Sequence, residues 1–407
     1  MCDYITYYYL NNYNKETKGT MSLYETQQHR DIRLKVRDFA EKEIKPVILE
    51  LDEKEMFSTD LVRKMGKLGL LGMQISGKYG GQNTDYLSYI IAVEELARVD
   101  SSVAATLAAH NSLGIGPIYE YGTEEQKQKY LPKLCSGEHI WAFGLTERKA
   151  GSDSQGVESK AEFKDGHWII NGSKVFITNS SSDISAGVTI EAITGQSNGK
   201  NELSAILVDR ETTGFSRKPI KGKFVWRAID NGELSFENCK VPEANLLGRR
   251  GEGTKIMLKT LDSGRLSIAA IGLGLAQGAF EMAMAYARKR KQFGRPIADN
   301  QVIAFKLADM ATKIELARNT LYHSCKLRDN GLPFSKEAAM IKLYTSEIAR
   351  EIADESLQIH GAIGLLHENH IERFYRDQRL LQIGEGTSEI LRLVISRNIT
   401  KEWVSGE

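Results

Sequence analysis

Cysteine is scarce in this chain, which has four among 407 residues. Cys2, Cys135, Cys239 and Cys325 lie far apart and include no CxxC pair. Their spacing therefore gives no support for a zinc ribbon or a thioredoxin-like redox motif. We expect reduced thiols, and with them a cytoplasmic setting.

A charge imbalance is also missing, since 54 basic side chains stand against 53 acidic ones. The chain thus has no overall electrostatic signal for nucleic acid or an anionic membrane, and any anion site must be local. The most apolar stretch, residues 268–280, contains Gln277 and three glycines and is shorter than the ~20 residues of a membrane-spanning helix. We interpret it as a core helix and expect neither partner.

The signatures of several enzyme classes are absent. No Walker P-loop occurs, and no GxSxG elbow precedes a helix. Gly272, Gly274 and Gly278 fall inside a helical pattern with no preceding strand, so close helix packing explains them better than a dinucleotide site. His367 and His370 are three residues apart, whereas the HExxH pattern needs four, and no metal site is expected.

The periodicity of apolar residues divides the chain into segments. Residues 1–20 lack the features of a secretory or mitochondrial leader and are interpreted as a disordered extension, with Met1 and Met21 both open as start sites. Residues 21–138 show helical spacing, including a capping box from Thr123 to Gln126. Residues 139–248 show a period of two, with hairpin turns predicted at Asp165-Gly166 and Asn171-Gly172. Helical spacing resumes over residues 249–407, which predicts an α+β fold with an antiparallel β-barrel or sandwich between two helical domains.

Three segments carry residues suited to chemistry. Residues 142–153 (AFGLTERKAGSD) form a loop of small and polar residues that a flat polar ring could approach, although an ordinary β-turn is an alternative. Residues 286–297 (YARKRKQFGRPI) contain five cations, which suit phosphate oxygens or a solvated helix face. Residues 375–377 (YRD) and 381–390 (LQIGEGTSEI) place Glu385 before a helix, where Thr387 or Ser388 could simply be the N-cap.

Together these segments resemble the acyl-CoA dehydrogenase family, over residues 21–403 and in the family's order. The family motifs are TExxAGSD, RxQFG, and YRD followed by EGTSEI. Residues 176–179 (FITN) and 358–364 (QIHGAIG) are similar to two further motifs. Arg148, Phe176 and Ala362 depart from the usual Pro, Trp and Gly.

The resemblance implies that the C-terminal domain is a four-helix bundle and that the cofactor is FAD. Arg290 would meet the pyrophosphate of an FAD bound mainly by a neighbouring subunit, in a homotetramer built as a dimer of dimers. The positions that match FAD contacts are Phe143, Leu145, Thr146, Gly151, Ser152, Phe176, Ile177, Thr178, Arg290, Gln292, Phe293, Gln301, Gln358, Ile359, Gly361, Ala362, Thr387 and Glu389. Those that match acyl-CoA contacts are Ser152, Asp262, Arg265, Gly384 and Gly386.

The implied reaction is α,β-dehydrogenation of an acyl-CoA thioester. No amino-acid side chain accepts hydride, so a redox cofactor is obligatory. By the resemblance Glu385 is the base for the α-proton, because Gly264 occupies the family's other base position. Desolvation should raise the pKa of Glu385, and its backbone N–H would help to stabilise the thioester oxygen.

Substrate and electron acceptor follow from the same resemblance. Gly384 stands where many straight-chain members carry Tyr, which implies a branched, cyclic or aromatic acyl group. Residues 101–105 are small and neutral where glutaryl-specific relatives place Arg, so a dicarboxylic substrate is disfavoured. Electrons would pass to an electron-transfer flavoprotein. The alternatives are an acyl-CoA oxidase or flavin monooxygenase of the same fold, and a non-catalytic helical scaffold.

Overall fold

A computed structural model describes residues 23–197 and 199–405. The predicted extension at residues 1–20, together with Met1 and Met21, lies outside the described residues.

The N-terminal part is helical, as its apolar spacing predicts. Two of its helices continue directly into π-helical turns, at Ala40–Ile44 and Ala109–Ile115. The predicted capping box from Thr123 to Gln126 is confirmed at the start of the last helix. The helices are α1 (Gln27–Phe39), α2 (Ile48–Glu53), α3 (Thr59–Lys67), α4 (Tyr86–Ala97), α5 (Ser101–Ala108), α6 (Gly116–Tyr121) and α7 (Glu124–Cys135).

The middle part forms one sheet of eight strands. The strands are β1 (Ile140–Gly144), β2 (Lys160–Lys164), β3 (His167–Thr178), β4 (Ser185–Ser197), β5 (Lys200–Asp209), β6 (Phe215–Pro219), β7 (Asn231–Pro242) and β8 (Leu246–Leu247). Their order is β6-β7-β3-β2-β4-β5-β8, with β1 beside β4. Most pairs are antiparallel, but β4 pairs in parallel with β1 and β2, which alternation along single strands does not reveal.

The two predicted hairpin turns have different outcomes. Asp165-Gly166 joins β2 to β3, and the φ values of 49° and 71° fit a type I′ turn. The turn predicted at Asn171-Gly172 is wrong, because β3 continues through it and shifts register against β7 as a β-bulge. The Asn171 side chain continues the pairing there by accepting a hydrogen bond from the Asn238 N–H (2.8 Å).

Helices resume after the sheet and form the C-terminal part. They are α8 (Gly253–Lys289), α9 (Gln301–Asp329), α10 (Ser335–His360), α11 (Ile371–Leu381) and α12 (Ser388–Ser405). A short hairpin, β9 (Lys291–Gln292) with β10 (Arg295–Pro296), separates α8 from α9. Helical parts precede and follow the sheet along the chain, which confirms the predicted fold class.

The longest helix, α8, runs through the core. By length and composition alone it could cross a membrane, yet 67% of its most apolar window is buried inside the protein. Its glycines allow close packing: a side chain at Gly274 would lie 2.7 Å from the Ala97 Cβ and collide with the Glu94 carbonyl. The packing role expected for these glycines is therefore confirmed.

Buried polar contacts connect the three parts of the fold. The guanidinium of Arg373, on α11, forms an ion pair with Asp100 and donates to the Val99 carbonyl (2.9 Å). Asp377, one turn later, accepts from the Trp226 N–H in the loop before β7 (2.8 Å). Helix α11, which leads into the Glu385 loop, is thus fixed to both other parts.

We expect Gly278→Ala to lower the thermal unfolding midpoint. A methyl group there would collide with the Arg98 carbonyl and lie 2.7 Å from the Phe374 ring. Overpacking of this kind costs about 1–3 kcal/mol. Differential scanning fluorimetry should show the loss, whereas Gly77→Ala, with nothing within 4 Å, should melt like the parent. Equal midpoints for the two variants would contradict the packing account.

Candidate active site

The predicted base, Glu385, lies in the loop between α11 and α12. Glu385 and Gly386 both adopt positive φ, 52° and 100°. The residue is half-buried, but its Oε2 atom is fully buried and has no hydrogen-bond partner among the described residues. Burial raises the pKa of Glu385 to about 7, and the nearby cations Lys342 and Arg265 partly offset that effect. A buried carboxyl with a perturbed pKa marks a candidate functional site.

The Glu385 carboxylate rests against α8 at Gly264. A Cβ atom on residue 264 would collide with Glu385 Oε2 and lie 2.9 Å from Leu113 Cδ2. The absence of a side chain at Gly264 therefore creates the space that the carboxylate fills. The two residues that the sequence analysis weighed as base positions are in direct contact.

Helix α10 holds the Glu385 loop from one side. Lys342 Nζ donates to the Gly386 carbonyl at 2.7 Å. Three further hydrogen bonds join helix and loop: Ser346 Oγ to the Leu381 carbonyl (2.9 Å), Gln382 Nε2 to the Ser346 carbonyl (2.9 Å) and Ser388 Oγ to Glu347 Oε1 (2.8 Å). The strained loop is thus fixed along its length.

The positions matched to acyl-CoA contacts lie mostly near this loop. Asp262 and Arg265, on either side of Gly264 along α8, form an ion pair (2.6 Å), and Ser335 Oγ donates to Asp262 (3.0 Å). Gly384 faces open space, since a Cβ there would meet only Leu380 atoms at 3.6–3.9 Å. Ser152 is exposed on a separate loop and makes no hydrogen bond within the described part of the chain.

A second group of predicted residues meets at the sheet. The Val175 N–H donates to the Thr146 carbonyl (2.9 Å), which places the loop after β1 beside β3. Phe143, Leu145, Thr146 and Thr178 are half-buried there, and Ile177 is buried. Phe176 has φ of 61° and a side chain that is 66% exposed. Residues predicted from two separate motifs therefore lie side by side.

A buried ion pair supports the loop after β1. Glu147 accepts from Lys174 Nζ (2.8 Å), from the Ser159 hydroxyl (2.6 Å) and from the Glu158 N–H (2.6 Å). Lys174 is fully buried, and burial lowers its pKa, partly offset by Glu147. Glu147 stands in the TExxAGSD motif, but the sequence analysis gave neither residue a role.

The third predicted group lies at the outer end of α8. The β9–β10 hairpin turns at Phe293, which has φ of 51° and is 99% exposed. Arg290, Gln292 and Gln301 are exposed, and the Arg290 side chain forms no ion pair with any described residue. Within the described chain no hydrogen bond joins this hairpin to β3 or to the Glu385 loop.

The remaining predicted residues occupy the ends of α10 and α12. Gln358, Gly361 and Ala362 are exposed where α10 ends, as are Gly151 on the sheet loop and Glu389 on α12. The side chain of Ile359 is buried in the core, so it does not present itself at this surface. Thr387 Oγ1 accepts from the Ile390 N–H (3.3 Å), which confirms the alternative reading of Thr387 as the N-cap of α12.

Lys342 was not among the predicted site residues, although its spacing along α10 could have identified it. Ala338, Lys342, Ser346 and Ala349 recur at intervals of four and three along α10, so a cation lies in a stripe of small residues. All four are buried. Lysine is rarely buried unless paired, and such a position deserves a functional interpretation.

Comparison with known proteins places the whole described fold within one family. Family models match the acyl-CoA dehydrogenase N-terminal domain over residues 26–138, the middle domain over 142–239 and the C-terminal domain over 251–400. The acyl-CoA dehydrogenase of Bacillus subtilis is 44% identical over 92% of this chain and 98% of its own.

Two further relatives are similar over comparable lengths. The caffeyl-CoA reductase-Etf complex subunit CarC of Acetobacterium woodii is 41% identical over 93% of this chain and 100% of its own. Butyryl-CoA dehydrogenase from Megasphaera elsdenii superimposes with a TM-score of 0.90 at 38% identity, covering 93% of this chain and 100% of that one. Since three family models match in order and full-length relatives exceed 40% identity, the chain belongs to the acyl-CoA dehydrogenase family of oxidoreductases.

Proposed function

We propose that this chain catalyses the FAD-dependent α,β-dehydrogenation of an acyl-CoA thioester to the 2-enoyl-CoA, with Glu385 as the base. The observation that carries the proposal is the buried Oε2 atom of Glu385, which has no partner within the described residues. The raised pKa, about 7, makes this carboxylate a stronger base than a glutamate in water and suits proton abstraction near neutral pH.

The loop backbone supports the same assignment. The Glu385 N–H donates to no other group in the described part of the chain, so it is free to donate to an oxyanion that develops on a thioester. Glu385 takes the α-proton. Residues 385 and 386 both adopt positive φ, and the short loop that they form carries the Glu385 carboxylate together with its backbone N–H. FAD, when bound, supplies the acceptor for the β-hydride.

The residues at the sheet fit a flat aromatic cofactor. The Phe176 side chain is exposed, and its backbone is strained. The residue adjoins the polar loop around Thr146. Strain in a bulky residue persists where the surrounding structure holds it and commonly marks a ligand site. Phe143, Leu145 and Thr178 would contribute to the same surface.

The exposed hairpin supports assembly into a homotetramer that shares its FAD sites. Within the described chain the Phe293 side chain is 99% exposed and the Arg290 side chain forms no ion pair, so contacts inside one subunit explain neither residue. A guanidinium is well suited to pyrophosphate oxygens, because it donates two hydrogen bonds in one plane. Arg290, Gln292 and Phe293 would therefore complete the FAD site of a neighbouring subunit.

The proposed electron acceptor is an electron-transfer flavoprotein. The relative from Acetobacterium woodii carries this partnership in its name. The alternative, an oxidase or monooxygenase of the same fold, differs in how the reduced flavin is reoxidised. Mixing anaerobically reduced enzyme with oxygen or with electron-transfer flavoprotein separates the two, because rapid reaction with oxygen would favour the alternative.

The proposed acyl group is branched, cyclic or aromatic. Open space at Gly384 supports a wide pocket, and one relative is named for caffeyl-CoA, whose acyl group is aromatic. The name of the Megasphaera elsdenii relative points instead to butyryl-CoA. A substrate panel decides between them.

We expect Glu385→Gln to reduce flavin reduction by acyl-CoA by about 100- to 10,000-fold, since an amide cannot accept the α-proton. Anaerobic bleaching of the flavin absorbance measures the rate. Glu211→Gln makes the same change on a side chain that is 88% exposed and should leave the rate unchanged. Full activity of Glu385→Gln would refute the proposed base, and protein purified without flavin absorbance would favour a scaffold.

The rate of flavin reduction should rise with pH and reach half its limit near pH 7. Glu385 accepts the α-proton only when ionised, and burial raises its pKa to about 7. The rate is therefore low below this pH and high above it. Stopped-flow reduction across about pH 5.5 to 8.5 measures the profile, and a rate that hardly changes over this range, as the ordinary glutamate pKa of about 4.3 predicts, would contradict the burial argument.

We expect Gly384→Tyr to shift selectivity from bulky towards linear acyl groups. The backbone at Gly384 does not need glycine, and an added Cβ makes only ordinary contacts, so the variant should fold. The ratio of kcat/KM for 2-methylbutyryl-CoA or 3-phenylpropionyl-CoA to that for butyryl-CoA should fall roughly tenfold or more. A parent enzyme that prefers butyryl-CoA by a large factor would overturn the proposed substrate class.

A further inference from the structure

We infer that Lys342 is a positioning residue for Glu385: its ammonium holds the Gly386 carbonyl and places a buried positive charge at the Glu385 loop. This inference rests on the proposed function, because it takes Glu385 to be the base.

Lys342 is a buried cation. Its side chain is 0% exposed, and its ammonium donates to the Gly386 carbonyl at 2.7 Å. No carboxylate lies within ion-pairing distance of it among the residues that the structure describes. Burying a charge without a counter-ion is costly, and a neutral donor could hold one carbonyl. A purely structural role therefore does not explain why the residue is lysine.

Charged groups on four elements act electrostatically on Lys342. They are Glu385 in the loop, Arg265 on α8, Glu347 on α10 and Glu389 on α12. Each of the others has a partner or is exposed. Arg265 pairs with Asp262, Glu347 accepts from Ser388, and Glu389 is exposed. Among the described residues, Lys342 is thus the cation of this group that lacks an ion-paired carboxylate, and Glu385 has the carboxyl oxygen, Oε2, that lacks a hydrogen-bond partner.

The electrostatic effects on both groups agree with this arrangement. Burial lowers the pKa of Lys342 to about 8, an effect that Glu385 partly offsets. Burial raises the pKa of Glu385 to about 7, an effect that Lys342 partly offsets. Tyr89 also senses the charge of Glu385, and burial keeps the pKa of Tyr89 far above neutrality. The charged forms of Lys342 and Glu385 therefore favour each other.

The hydrogen bond also bears on geometry. Gly386 has φ of 100°, so the residue that follows Glu385 is in a conformation that residues with a side chain rarely adopt. The hydrogen bond from Lys342 to the Gly386 carbonyl restrains this residue, and with it the turn that places the Glu385 carboxylate against Gly264.

The test compares variants that separate charge from hydrogen bonding. Lys342→Met removes both, Lys342→Gln removes the charge and keeps a donor, and Lys342→Arg keeps the charge. Ser388→Ala is the matched control, since it removes one hydrogen bond between the start of α12 and α10 without removing a charged group. FAD content is measured for each variant. The readout is the anaerobic flavin-reduction rate as a function of pH, with an acyl-CoA that reduces the parent enzyme.

We expect the Met and Gln variants to move the pH midpoint upward by about one unit, because an opposite charge nearby lowers a carboxyl pKa by about that much or more. Ser388→Ala and Lys342→Arg should keep the parent midpoint. Unchanged midpoints in FAD-loaded Met and Gln variants would overturn the inference. If those two variants lose FAD, a midpoint displaced by about a unit in Lys342→Arg overturns it.

The inference and the proposed function fail in different ways. If Glu385→Gln still reduces the flavin at the parent rate, Glu385 is not the base and the proposed function fails. If Glu385→Gln is inactive and the neutral Lys342 variants keep the parent midpoint, only the role of Lys342 fails.

Discussion

The close packing of α8 against α10 is the constraint on which the candidate site depends. The helices meet through small residues, and a side chain at Gly272 would lie 3.1 Å from the Thr345 carbonyl. Helix α8 provides Gly264 and the Asp262–Arg265 pair, whereas α10 provides the hydrogen bonds that hold the Glu385 loop. The separation of the two helices therefore determines whether the carboxylate reaches the surface of α8. Larger residues at the contact between the two helices would therefore displace the Glu385 loop, although they lie outside that loop.

Backbone strain occurs at three of the residues with proposed roles. Ten non-glycine residues have positive φ in the described part of the chain. Three of them, Phe176, Phe293 and Glu385, were singled out from sequence for cofactor binding or catalysis. They lie on a strand, a hairpin tip and a loop, so no single packing defect explains them. Strain held at separate positions is typical of groups kept ready for a ligand.

Local sequence patterns predicted much of the fold, and they failed where distant parts of the chain decide. The capping box at Thr123 and the turn at Asp165-Gly166 depend on neighbouring residues, and both formed. Asn171-Gly172 has the same turn chemistry, but pairing with β7 extends the strand through it. Motif resemblance identified Glu385 and Gly264 separately. Their contact, and the hydrogen bond from Lys342, join positions far apart in sequence and required the fold.

The glycine at position 264 limits how this enzyme could change. A base on α8 would need a side chain in the space that the Glu385 carboxylate now fills. Moving the proposed base from the loop to the helix therefore requires two substitutions. A side chain at position 264 fills that space, so the Glu385 carboxylate has to turn away from α8 or be replaced by a smaller residue. In either case the proposed base leaves its place against α8, and a step without a positioned base separates the two arrangements.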